Sequence, residues 1–103
     1  MQKLTQTTFD AAIQNGVVVI DFFAERCGPC KMVAPYLDDM QAKLWAHATI
    51  YKVDVDEEQE IAMMQGITGM PTFKIFKDGV EVKKVQGADL KSLWQGIQEQ
   101  ITP

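Results

Sequence analysis

Two thiols stand three positions apart in this chain of 103 residues, Cys27 and Cys30, where an apolar run gives way to a short turn. If a helix starts at Cys27, the second sulfur falls on the same face and within disulfide reach. The thiolate is the nucleophile of disulfide exchange, and a cysteine at a helix N-terminus gains from unpaired N–H groups and the positive dipole end, which lower its pKa. Cys27 is therefore expected to attack. Cys30, one turn inward and more buried, stays protonated longer and acts second, as the resolving thiol that breaks a Cys27 mixed disulfide. A loop this short makes a poor staple, because its chain-entropy contribution is on the order of 2 kcal/mol before ring strain. Zinc is the competing chemistry, but the chain offers only these two thiols and His47 against the usual four ligands. No metal is expected.

Asp21 is the one break in the apolar, β-branched run Val17 to Phe23, which reads as a strand buried on both faces in a mostly parallel sheet. An ionised carboxyl is costly there, so its pKa should rise. Two roles stand open. Asp21 can take and return the Cys30 proton through a water, or it can be a structural carboxylate satisfied by Lys52 from the neighbouring strand.

The elements that must position these groups follow from periodicity. Leu4 falls in a short first strand, and Thr7 or Thr8 caps a short helix with Phe9, Ala12 and Ile13 inward, stopped at Asn15-Gly16. After the Val17 to Phe23 strand, Val33, Leu37, Met40 and Leu44 form the stripe of a helix from Cys27 to about Lys43. Pro29 fits the first turn of that helix, whereas Pro35 lies inside it and is expected to kink it. Thr49 to Val55 alternates as a second core strand. Asp56 and Gln59 resemble a capping box for a helix containing Ile61, Ala62 and Met64 and ending at Gly66. Thr72 to Lys77 and Val80 to Val85 are joined by Asp78-Gly79, a hairpin signal. Gly87 turns the chain and Asp89 caps a last helix with Leu90, Leu93, Trp94, Ile97 and Ile101 inward. The result is an α/β sandwich: a mixed sheet covered by helices on both faces.

A hydrophobic fraction of 47% with 23% charged residues suits a soluble globular chain. No apolar run approaches the ~20 residues of a membrane span. Ten basic against fourteen acidic residues give a net charge of −4, with basic residues scattered singly except Lys83-Lys84, which argues against nucleic acid. The first residues are polar, with no apolar leader and no small-residue cleavage site, so a reducing cytoplasm is the expected location.

From Asp21 to Met32 the chain resembles thioredoxins. A C-x-x-C pair beside a βαβ pattern is itself the general signature of that redox motif. The likeness continues through Pro35, Lys52-Val-Asp-Val-Asp56, Gly69-Met-Pro-Thr72, Phe76-Lys-Asp-Gly79 and the Gly87 turn, in family order and spacing. It implies the thioredoxin fold over residues 1–103 as one domain, a central mixed five-stranded sheet flanked by four helices. It implies a protein-disulfide reductase with no bound cofactor, working as a monomer. Its electrons would come from NADPH through a flavin-containing thioredoxin reductase and pass to disulfide-containing cytosolic proteins. The resemblance supports the proton-carrying role of Asp21 beside Lys52, and the Gly28-Pro29 spacer resembles that of reductant members. It also implies a cis Met70-Pro71 bond against the disulfide. Gly28, Pro29, Gly69, Met70, Pro71, Gly87 and Ala88 would then make a flat, mostly uncharged docking surface around Cys27.

Family members usually carry Trp directly before the first cysteine and often another three residues earlier. Here Arg26 and Phe23 occupy those places. A guanidinium beside Cys27 should favour its thiolate, unless Arg26 points into water or pairs with Glu25. Trp45 and Trp94 should lie away from the disulfide. Met40 and Met64 fit core stripes, Met70 and Met32 have a place at the site, and His47 reads as a surface residue. Asp54, Asp56, Glu57, Glu58 and Glu60 read as a solvated helix start. Two further functions stay open: a redox-sensitive binding subunit, and an exported oxidant or isomerase.

Overall fold

The computed structural model describes residues 1–103 and alternates strand and helix as the periodicity predicts. Its elements are β1 (Gln2–Lys3), α1 (Phe9–Ala12), β2 (Val17–Phe23), α2 (Gly28–Leu44), β3 (Thr49–Asp54), α3 (Gln59–Met64), β4 (Thr72–Lys77), β5 (Val80–Gln86) and α4 (Leu90–Ile101). The five strands form one sheet in the order β1-β3-β2-β4-β5. β1 and β2 run parallel to β3, while β2 with β4 and β4 with β5 are antiparallel. The sheet is thus evenly mixed. The apolar run of β2, broken only by Asp21, does report burial on both faces, but not the direction of its neighbours, because burial depends on the covering helices and not on strand polarity.

The period of two along β2 splits the core. Val17 and Val19 pack with Val33, Leu37 and Leu44 of α2 and Leu93 and Ile97 of α4. Val18, Ile20 and Phe22 face the other way, against Phe9 of α1 and Ile61 of α3. Two helices therefore cover each face. Asp21 projects on the α2 and α4 side from the middle strand of the sheet, which is why it is buried.

Several local signals behave as written. Asp89 Oδ1 accepts from the Ser92 N–H at 3.1 Å and caps α4. Asp78 and Gly79 take φ of 50° and 88°, the left-handed pair that a two-residue hairpin needs. Gly66 ends the third helix at φ 67°.

Others do not. Thr8 occupies the N-cap of α1, but its hydroxyl bonds Thr5 instead of the helix N–H groups. The Asp56–Gln59 capping box does not form: α3 begins after Glu58, and Asp54 Oδ1 takes the Asp56 and Glu57 N–H groups at 2.9 and 3.2 Å. Asp54 is consequently buried, not part of a solvated face. Met64 is 80% exposed and is no core residue; Ile61 alone of that helix is fully inward. With only six residues, α3 is too short for its stripe to have decided between those positions.

Candidate active site

Strand β2 ends at Phe23, and the turn through Ala24, Glu25 and Arg26 delivers Cys27 to the N-cap of α2. Cys27 has extended backbone, φ −92° and ψ 110°, and its Sγ accepts the Cys30 N–H at 3.1 Å. Once the disulfide is reduced, that hydrogen bond and the first-turn N–H groups would favour a thiolate at this position. Pro29 costs nothing there, since its nitrogen has no helical partner to lose. Cys27 and Cys30 form a disulfide with Cα atoms 5.3 Å apart. Cys27 is half-buried while Cys30 is buried, as their positions on the first turn require.

Behind Cys30 lies a cavity of about 150 Å³. Asp21, Cys30 and Lys52 all line it, the first and last brought together by the β2–β3 register and Cys30 by the first turn of α2. Asp21 and Lys52 are directly opposite in the β2–β3 ladder. Burial pushes the Asp21 carboxyl up from 3.8 to about 7, against the opposing pull of the Lys52 charge. Its Oδ1 is buried without a hydrogen-bond partner. Lys52 does not satisfy it. The ammonium instead lies over the Phe23 ring, 5.5 Å from its centroid, an arrangement that keeps the cation near the site without quenching the acid.

On the other side of the pair, the Met70-Pro71 peptide is cis. The Pro71 carbonyl accepts from Gly87 N at 2.8 Å, which fixes the Gly87-Ala88 turn beside the proline loop. Thr72 Oγ1 donates to the Gly69 carbonyl at 2.6 Å. Gly28, Pro29, Gly69 and Ala88 are exposed, Met70 and Gly87 half-buried, and Pro71 buried.

Arg26 departs from expectation. It neither turns to Glu25 nor stands free, but reaches Asp56 with Nε–Oδ2 of 3.2 Å and a second N–H to Oδ1 at 3.3 Å. Arg26 lines an open groove with Met63, Ile67 and Met70. The 30-residue separation hides it from sequence. Also missed was Lys74, buried on the α3 face of β4, whose Nζ donates to Glu81 Oε1 and to the Gln65 carbonyl at 2.7 Å each. Its Ile-Phe-rich surroundings carry the only clue, a charge within an apolar strand.

The family model described as Thioredoxin matches residues 1–99. The chain belongs to the thioredoxin family. It is 44% identical over 97 residues to Thioredoxin-1 of Saccharomyces cerevisiae, covering 93% of both chains. It is also 44% identical over 96 residues to Thioredoxin 1 of Plasmodium falciparum, covering 92% of this chain and 91% of that one. Among solved structures, the oxidised form of mitochondrial Thioredoxin 3 from Saccharomyces cerevisiae superposes with a TM-score of 0.91 at 40% identity, covering 96% of this chain and 94% of that chain. Thioredoxins are disulfide oxidoreductases, and the Cys27–Cys30 disulfide is the group such dithiol–disulfide exchange needs. No helix is long and apolar enough to cross a membrane.

Proposed function

We propose that this thioredoxin family member is a general protein-disulfide reductase that maintains redox homeostasis in the cytoplasm, as a single-domain monomer with no bound cofactor. The Cys27 thiolate attacks a substrate disulfide; one substrate sulfur leaves as a thiolate and is protonated by solvent. Cys30 then gives its proton to Asp21 and attacks Cys27 Sγ. The Cys27–Cys30 bond forms, the mixed disulfide breaks, and the second substrate thiolate leaves. Two electrons have passed to the substrate. A flavin-containing thioredoxin reductase using NADPH returns them. Lys52 holds the field at Asp21, while Gly28, Pro29, Gly69, Met70, Pro71, Gly87 and Ala88 receive an extended substrate segment.

The observation carrying this reading is the unpartnered Asp21 Oδ1 in the cavity that Cys30 also lines. A buried carboxyl with no structural partner is expensive to keep unless its proton is used. Insulin reduction by dithiothreitol tests the activity: acceleration of precipitation is expected, and none would leave a redox-switched binding module instead. Cys30→Ser should trap targets on Cys27 as mixed disulfides, whereas Cys27→Ser should trap none. Equal trapping by both overturns the assignment of roles.

A further inference from the structure

The cavity behind Cys30 has a wall that comes from the far end of the chain. Met1 lines it, together with Asp21, Phe23, Ala34 and Lys52. The Met1 side chain is only 5% exposed and packs against the core cluster of α2 and α4. It is held there by little. Strand β1 is an edge strand only two residues long, pairing Gln2 with Tyr51 and Lys3 with Lys52 of β3, and one further bond joins Leu4 N to the Lys52 carbonyl at 2.8 Å. Lys3, Lys52 and Asp21 thus stand in a single row across β1, β3 and β2. Seating of the N-terminal strand and the surroundings of Asp21 are parts of one register.

We propose that Met1 is a positioning residue for the Cys30-to-Asp21 proton transfer: seated by β1, its apolar side chain closes one wall of the cavity and limits the water reaching the carboxyl. This rests on the reading of Asp21 as the proton carrier. A thioether is soft and unbranched, so it fills an irregular gap without offering a hydrogen bond to an ionised oxygen. Water admitted at that wall would solvate the carboxylate and favour its charged form. The other charged groups facing the cavity are Glu25 from the β2–α2 turn, Lys31 of α2 and Lys52 of β3, and the Met1 nitrogen lies 4.0 Å from Asp38 Oδ1 of α2. Opposite Asp21 on β4 stands Phe73, which brings no charge. None of these groups changes when the Met1 side chain alone is replaced.

The test compares chains of residues 1–103 carrying an identical Gly-Ser leader before residue 1, with Met1 kept, Met1→Gln or Met1→Leu. The Asp21 carboxyl carbon is titrated by NMR in the oxidised protein, where no thiol titrates beside it. Met1→Gln, similar in length but polar, should lower the midpoint by about one pH unit, and apolar Met1→Leu should keep the reference value. Protection of the Leu4 amide reports whether β1 stays seated. A Met1→Gln midpoint within about 0.2 unit of the reference overturns the proposal, whether or not β1 is seated, since an unseated strand would open the same wall. Failure of the underlying reading looks different. Asp21→Asn would then leave the pH profile of turnover unchanged, while the Met1 comparison would still move the midpoint.

Discussion

Asp21 and Lys52 face each other across β2 and β3, yet the ammonium is drawn over the Phe23 ring and the carboxyl Oδ1 has no partner. The cation acts on the acid through space and not as a closed ion pair. Removing it by Lys52→Met should therefore raise the Asp21 pKa further above about 7, by about one unit, and carry the alkaline limb of the turnover profile with it. An unmoved carboxyl midpoint in the NMR titration would mean that Lys52 exerts no field there.

The same burial makes Asp21 a liability for stability. Its pKa is raised on folding, from 3.8 to about 7, so between those values the folded state holds a proton the unfolded chain has released. The contribution of Asp21 to stability should be fullest below about pH 4, be lost as pH rises to about 7, and be level above, a total on the order of 4 kcal/mol. Asp21→Asn should remove this slope and unfold at higher urea than the parent at pH 8.5, by about 2 to 4 kcal/mol once the buried amide is allowed for. Parallel urea midpoints of parent and variant from pH 4 to 9 would contradict it. Turnover of the variant should be slowed at neutral pH while the fold is kept.

Arg26 is occupied by Asp56, which blunts its charge as seen from Cys27. Both partners are exposed, and such pairs are screened. Arg26→Trp should then raise the Cys27 pKa by no more than about 0.3 unit, while Asp56→Asn, which frees the guanidinium, should lower it by about half a unit. The pH dependence of alkylation by iodoacetamide reads both. A larger effect from Arg26→Trp than from Asp56→Asn would show that the ion pair does not hold in solution.

Lys74 and Glu81 meet at 2.7 Å where the β4–β5 register slips after Ile75. The lysine side chain is 6% exposed, but Glu81 is 38% exposed, so only the cation pays fully for desolvation. Glu81→Gln should cost about 1 to 3 kcal/mol by leaving Lys74 with the Gln65 oxygens alone, whereas Lys74→Met should change stability by less than about 1 kcal/mol. Urea unfolding of the two variants distinguishes a buried charge from a packing site.

Trp45 is 80% exposed beyond the C-terminal end of α2, the end opposite the disulfide, so about 25 Å of helix separates it from Cys27. Trp94 packs beside Met40 and Lys43, also toward that end. Intrinsic fluorescence should change by well under twofold when the pair is reduced. A several-fold rise would place a tryptophan against the sulfurs.

The order of the nine elements, both faces of the core, a helix start at the thiol pair, the cap at Asp89 and the Asp78-Gly79 turn could all be read from residue types, because each depends on contacts within a few positions or on a strict period. The chemistry of the thiol pair was legible for the same reason, since two thiols three positions apart at a helix start define their own geometry. What tertiary structure alone decided lies at long separations. It put Asp56 and not Glu25 on Arg26, left Asp21 unpartnered beside Lys52, buried Lys74 against Gln65 and Glu81, and set Met1 in the wall behind Cys30. Two arginine partners of equal charge differ only in where the fold carries them. A carboxyl opposite a lysine looks satisfied until the neighbouring aromatic ring is seen to hold the cation.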